Sequence, residues 1–289
     1  MKKKLVRNRN VENLWGILFI LPSAVGQLLF FLCPILIIIF YSVVESPINF
    51  EFVGFSNYIE IWRNKMFLLA MKNTLIFMGM GISLITICSI GIALLLNKKI
   101  FFRNIIRMCF MVPVIIPSVS ILMIWNIIFN FNGALNNTIV LLGLNPVDWM
   151  NSKYARILIV AFFVWKNIGY NIILILAALQ NVPKEQYEAA CLDGASKFSI
   201  FKNITLINIL PTVFFTVILS IINSFKIYRE VFLISGNYPY NDIYMIQHYI
   251  NNLFNVIDFK NLSVAAIYLI FIIFIIVFIW TRIEKKLLD

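Results

Sequence analysis

Apolar positions in this chain run together instead of alternating with polar ones. A membrane helix needs roughly 20 mostly apolar residues to cross a ~30 Å hydrocarbon core. Six stretches meet that length: residues 14–44, 73–96, 108–131, 156–180, 209–235 and 262–283. The first holds Pro22 and Pro34 and the third Pro113 and Pro117. Such prolines are tolerated inside membrane helices where neighbours satisfy the freed carbonyls. The polar stretches between are short. Residues 45–72 are polar with aromatics, and residues 131–155 carry the turn pairs Asn132-Gly133 and Asn145-Pro146. Residues 236–261 contain an apolar pattern at helical spacing, which predicts an amphipathic segment lying along the outer surface. The expected fold class is an all-α polytopic membrane protein with six transmembrane helices and both termini on one side.

Charge sets the orientation. With six spans, one side collects Lys2, Lys3, Lys4, Arg7 and Arg9, then Lys98, Lys99, Arg103 and Arg107, then Lys184, Lys197 and Lys202, and finally Arg282, Lys285 and Lys286. The other side holds only Arg63, Lys65, Lys72, Lys153, Arg156 and Lys260. Cytoplasmic loops carry the excess of Lys and Arg, so both termini are expected in the cytoplasm. The chain then divides into a basic cytoplasmic N-terminus (1–13), a first helix (14–44), an external segment (45–72), a core of five helices (73–283) and a cytoplasmic C-terminus (284–289).

Composition narrows the function. Only 13% of residues are charged, against about 25% in soluble domains, too little polar surface to cover a water-soluble globule. The net charge of +11 invites a nucleic-acid reading. The cations sit in short clusters between apolar runs, however, so they serve topology and lipid contact, and no nucleic-acid partner is expected. The basic N-terminus resembles the start of a signal peptide. Its apolar run is uncharged from Asn13 to Val44, far beyond a secretory core of 7–15 residues, so it predicts a retained helix. Cys33, Cys88, Cys109 and Cys191 have no metal or redox spacing. His248 has no companion at metal-ligand spacing.

The most informative polar stretch is the cytoplasmic loop 181–208. Pro183 suits a first helical turn, and Glu185 and Glu188 lie near the positive end of that helix. Gly194 is placed to end it in the left-handed conformation. Ser196 can then cap a second short helix. The product is a two-helix elbow with Ala189 and Ala190 as a close-packing surface. Spacing alone is equally served by a hairpin at the membrane surface that only joins two spans. In the fourth span the Trp165-Lys166-Asn167-Ile168-Gly169-Tyr170 stretch lies about ten residues deep, and in the fifth Ser220, Asn223 and Ser224 repeat at helical spacing. Polar groups at such depth line transport pathways or bind helices to one another. Lys166 lacks a partner on its own helix. It either faces the pathway and meets an acidic sugar or pairs with a carboxylate on another subunit. Lys226 and Glu230, four residues apart, can pair with each other, with a wet structural role toward the outer end.

Glu188-Ala189-Ala190-x-x-x-Gly194, followed after nine residues by Ile204-x-Leu206, resembles the EAA loop of ABC importer permeases. Leu192-Asp193-Gly194-Ala195, Phe52-Val53-Gly54-Phe55-Ser56-Asn57-Tyr58, Asn73-Thr74 and Pro113 with Pro117 resemble the carbohydrate-uptake, maltose-transporter-like type I branch, in the larger permease of each pair. Two positions depart from the family pattern: Ile207 stands where a proline is usual, and Gly236-Asn237-Tyr238-Pro239 replaces a Gly-Gly-Pro turn. The resemblance implies a non-catalytic subunit that pairs with a second homologous permease, two ATP-binding subunits and an external solute-binding protein. ATP and Mg would then reside on the partner ATPase, because this chain has no G-x-x-x-x-G-K-[ST] loop. It makes Glu188, Ala189, Ala190, Asp193 and Gly194 the coupling residues, and Trp165, Lys166, Asn167, Tyr170, Ser220, Asn223 and Ser224 the region of a sugar site. A phosphate or amino-acid importer is the alternative within that family. An ion-coupled carrier would need buried acids at the midplane and an internal repeat. A membrane enzyme would need an acid, base and nucleophile together.

Overall fold

Two long helices form the spine of the bundle: α4 (Lys65–Asn97) and α8 (Ala155–Asn181). Their shared face is apolar and aromatic, with Phe77 and Phe163 edge to face at 5.4 Å between centroids. The computed structural model describes residues 9–98 and 100–288. Lys2, Lys3, Lys4, Arg7 and Lys99, counted in the charge asymmetry, lie outside them.

The chain enters through α1 (Arg9–Gln27), a π-helical turn (Leu28–Leu32) and α2 (Cys33–Ser42). A short α3 (Ser56–Ile61) precedes α4. Then come α5 (Arg103–Ile115), α6 (Ser118–Phe129) and α7 (Ala134–Leu141). After α8 follow α9 (Lys184–Leu192), α10 (Lys197–Ile200) and a second π-helical turn (Phe201–Thr205). The last elements are α11 (Leu206–Lys226), α12 (Tyr228–Ser235), α13 (Ile246–Asn255) and α14 (Phe259–Leu288). Among the described residues six helical stretches are long and apolar enough to cross a membrane: Leu18–Ser42, Lys65–Asn97, Ser118–Leu141, Ala155–Asn181, Lys197–Ser235 and Phe259–Leu287.

The third span differs from the expected single helix over 108–131. Pro113 stays inside α5, but the chain breaks at Ile116, whose ψ of 135° is extended. The ring of Pro117 clashes with an α-helical conformation of the preceding residue, so α6 starts anew at Ser118. Helix α1 starts at Arg9, ahead of residue 14, while the apolar span within it begins at Leu18.

Burial divides the helices by partner. Phe19, Phe30, Phe31, Leu36 and Ile39 of the first span and Phe271, Phe274 and Phe278 of α14 are exposed, as lipid-facing side chains must be. Where helices meet, small residues decide the distance. At Gly169 a Cβ would fall 1.9 Å from the Phe110 carbonyl oxygen, so α5 and α8 touch backbone to backbone. Polar staples add to this. Asn171 Nδ2 donates to Ser220 Oγ at 3.0 Å, joining α8 to α11.

The segment before α13 is held by side chains from distant helices. Asn73 Nδ2 donates to the carbonyls of Asn241 and Tyr244, and Thr74 Oγ1 accepts from Ile246 N at 2.9 Å. Arg156 donates to Asn73 Oδ1 at 3.0 Å and pairs with Asp242 at 3.2 Å. The Asn73-Thr74 pair thus anchors the connection between the last two spans to the start of α4. In the same way Asn57 Nδ2 donates to the Ser42 and Val44 carbonyls. Trp62 Nε1 donates to Tyr268 Oη at 2.7 Å, tying the end of α3 to α14.

The predicted amphipathic segment exists as α13, and its apolar face packs into the chain. Ile246, His248, Tyr249 and Asn252 are buried, and Phe67 of α4 stacks edge on against Tyr249 at 5.7 Å. His248 is fully buried; its Nδ1 accepts from Met245 N, and among the described residues its Nε2 has no partner. Burial pushes it down to about 4 from the usual 6.5. Between those values the unfolded chain binds a proton that the folded chain refuses, so stability is full above pH 6.5 and is lost as pH falls toward 4. The linkage is on the order of 3 kcal/mol. Melting of the solubilised protein should therefore drop more steeply between pH 6.5 and 4.5 than that of His248→Asn, whose side chain can still accept from Met245 N. Parallel curves would contradict this.

Candidate functional site

The elbow forms as its residue types dictate. Pro183 stands at the N-cap of α9, and Glu185 in its first turn meets the helix dipole. The helix ends in a Schellman motif: Ala195 N donates to the Ala190 carbonyl at 3.0 Å, and Gly194 N donates to the Cys191 carbonyl at 3.1 Å. Gly194 has φ of +73°, a conformation that costs an L-residue about 1–2 kcal/mol. Ser196 Oγ then accepts from Ser199 N, capping α10.

Two side-chain bonds hold the elbow together. Tyr187 Oη lies 3.1 Å from Thr205 Oγ1, and Asn208 Nδ2 donates to Gln186 Oε1 at 2.9 Å. Glu188, Ala189, Asp193 and Gly194 are exposed and Ala190 is half-buried. The apex carries two apolar side chains that touch little of the chain itself: Leu192 is 89% exposed and Phe198 75%. An elbow of this shape presents a preformed apolar knob to a groove.

The other half of the site is a cleft of about 750 Å³ between α8 and the α11–α12 helix. Lys166, Asn167 and Asn223 line it, with Ser118 from the start of α6. Tyr228, Arg229 and Asn251 close its rim. Lys166 Nζ donates to Ser118 Oγ at 2.7 Å and forms an ion pair with Glu230 Oε1. The side chains are 17% and 5% exposed, and among the described residues Glu230 Oε2 is buried without a donor. Asn167 donates to the Phe163 carbonyl at 2.9 Å. Among the described residues its side-chain oxygen accepts no bond within the chain, leaving it for another molecule. Lys226 donates to Asn223 Oδ1 at 3.2 Å.

This arrangement corrects the expected charge pairing. Lys226 does not pair with Glu230 along the helix. Glu230 points inward, where a lone carboxylate is costly, and Lys166 of the neighbouring helix meets it. Lys166 therefore has its carboxylate within this chain, and the wet outer role expected for Glu230 does not hold. Glu230 is the only acidic residue in the six expected spans. Intramembrane charges pair, so the one acid and the lone Lys166 were the available signal.

The remaining predicted residues fall elsewhere. Ser220 and Ser224 are buried, each bonded to a carbonyl of its own helix, and neither lines the cleft. Trp165 is 44% exposed and packs against Trp125 at 6.0 Å and Phe162 at 6.3 Å, away from the cleft. Tyr170, also 44% exposed, lies one turn from Lys166 but does not line the cleft. Ser118 and Asn251 were missed, because only the folded chain brings α6 and α13 to the cleft.

Comparison with known proteins follows this geometry. Residues 85–287 match the family described as binding-protein-dependent transport system inner membrane component. A trehalose/maltose transport system permease protein from Thermococcus litoralis is 31% identical over 230 residues, 78% of each chain. An arabinooligosaccharides transport system permease protein from Bacillus subtilis is 35% identical over 225 residues, covering 76% of this chain and 72% of its own. In structure, the chain is similar to a subunit of a bacterial ABC transporter involved in the import of the acidic polysaccharide alginate. The TM-score is 0.82 at 20% identity, over 97% of this chain and 99% of the other. A family match over more than half of the chain, with relatives of this likeness, leads to one conclusion: the chain belongs to the binding-protein-dependent transport system inner membrane components, the non-catalytic permease subunits of ABC importers.

Proposed function

We propose that this permease carries a sugar or oligosaccharide across a bacterial plasma membrane, with the elbow on the cytoplasmic side. It does so with a second homologous permease, two ATP-binding subunits and an external solute-binding protein. The observation that carries the reading is the polar cleft at Lys166 and Asn167 on α8, the helix that leads directly into the exposed elbow at its other end. Its amides and hydroxyls, set among Lys166, Lys226, Arg229 and Glu230 and beside Phe225, Tyr228 and Phe232, suit a polyhydroxylated solute. Relatives named for trehalose and maltose or for arabinooligosaccharides support the same class.

On this reading the elbow is the input. Closure of the ATP-binding subunits pushes on Leu192 and Phe198, and the rigid helices on either side carry the push to the cleft. Reversing a 1:99 preference between outward and inward states takes about 5.5 kcal/mol of differential binding, which ATP and a docked binding protein share. Glu230 supplies the counter-charge of Lys166, while Lys226 and Arg229 add positive charge at the same cleft.

Purification through a tag on this chain, from its native host in a gentle detergent, tests the assembly. An ATP-binding subunit and a second six-span permease should co-purify. Reconstituted with the binding protein and ATP in liposomes, the complex should accumulate radiolabelled sugar. A chain that purifies alone, with no ATPase, contradicts the assembly. An intact complex that imports amino acids or phosphate esters but no sugar contradicts the solute.

A further inference from the structure

We propose that a second cavity, at the end of the bundle opposite the elbow, is a vestibule that binds neutral oligosaccharide before it reaches the Lys166 cleft. The proposal rests on the carbohydrate reading above and assigns that pathway an outer subsite. The cavity measures about 350 Å³ and lies between α6, the start of α8 and the loop at 147–151, with Ile234 and Ser235 of α12 behind it. Its size is within the ~300–1,000 Å³ of small-molecule sites.

The lining combines two chemistries. One is aromatic: Trp125 and Phe129 are stacked at 4.8 Å between centroids, and Phe162 meets Trp125 edge on, also at 4.8 Å. The other is polar, with Asn126 beside Trp125 on α6 and Asp148 and Asn151 from the loop. A sugar ring has the same two chemistries. Its C–H face packs on the negative face of an aromatic ring, and its adjacent hydroxyls bridge an amide or a carboxylate. A lipid-facing aromatic belt explains exposed rings, but not a cavity whose lining also gathers amides and a carboxylate.

The polar loop is preorganised. Asn136, 1% exposed, donates to the carbonyls of Phe131 and Val147 and accepts from Val147 N and Trp149 Nε1 at 3.1 and 3.0 Å. This single side chain locks the loop that carries Asp148. Asn151 N and Nδ2 then donate to the Asp148 carboxylate. A loop held in advance loses little freedom on binding. No cation lines the cavity, and Asp148 is its one charge, so an acidic sugar is repelled and a neutral one accepted.

Saturation-transfer NMR on the complete importer in nanodiscs, with maltotriose, arabinotriose and trigalacturonate as probes, tests this. Saturation should reach the ring protons of at least one neutral trisaccharide and not trigalacturonate. It should fall roughly tenfold in Trp125→Leu and in Asp148→Ala. Asp148 is exposed, so its variant folds even if the tryptophan variant does not. Unchanged transfer in Asp148→Ala, or equal transfer to trigalacturonate, overturns the vestibule. So does absent transfer to every probe in an importer that still takes up sugar. An importer that takes up no sugar in the liposome assay fails the carbohydrate reading itself, and the vestibule falls with it.

Discussion

Glu230→Leu should lower the stability of the purified permease by about 1–3 kcal/mol, because it leaves the half-buried Lys166 ammonium with only Ser118 as partner within the chain. Lys166→Met should cost a similar amount by stranding the Glu230 carboxylate, which already has one unsatisfied oxygen. The double variant Lys166→Met/Glu230→Leu should regain most of the loss, since replacing a buried pair by apolar residues of similar size is often neutral or stabilising. Heating followed by size-exclusion chromatography reads out the folded fraction of all four proteins. A double variant as unstable as the sum of the singles would mean that the two residues act independently. The double variant also separates two roles of the pair. If it is stable and imports at the parental rate, the pair only joins α8 to α12. If it is stable and inactive, the charges face the solute or open during the cycle.

Leu192→Asp and Phe198→Asp, alone and together, should leave the permease folded and disconnect it from its ATPase. Neither side chain packs inside the chain, so melting should stay within about 0.5 kcal/mol of the parent, as for ordinary surface positions. Each buries a large apolar surface in the assembly proposed here, worth ~1.5–3 kcal/mol. The pair of aspartates should therefore reduce ATP-driven uptake roughly a hundredfold or more. The ATP-binding subunits should wash away during purification. Retained uptake in the double variant would move the coupling contact off the apex of the elbow. Retained subunits with lost uptake would instead show that the knob transmits motion without anchoring the complex.

The two features behind these expectations were unequally visible along the chain. The elbow is local: Pro183, Gly194 and Ser196 each fix a backbone conformation within a few residues, and the caps form where those residues stand. The six spans are also legible, because length and apolarity alone decide them. The break before α6 followed from Pro117, which was visible; whether a proline kinks or ends a helix depends on what surrounds it. The Lys166–Glu230 pair was not legible as a pair. It joins residues 64 positions apart, and which face each helix turns inward is set by packing such as the Gly169 contact with Phe110. The same holds for Asn73, which looked like the start of a helix and holds a loop some 170 residues away. Residues 131–155 showed only turn signals, because the cavity they help form needs Trp125 and Phe162 from two other helices.

The helix that runs without a loop from Lys197 to Ser235 has a mechanical consequence. Phe198 at the elbow and Asn223 in the cleft lie 25 residues apart along it, roughly 37 Å at ~1.5 Å per residue. Such a rod acts as a lever. Pivoting by ~5° about its elbow end, it would swing Asn223 sideways by ~3 Å, the length of one hydrogen bond. The ATPase then need not drive a large displacement into the membrane. A small tilt imposed at the base is enough to exchange one set of partners in the cleft for another.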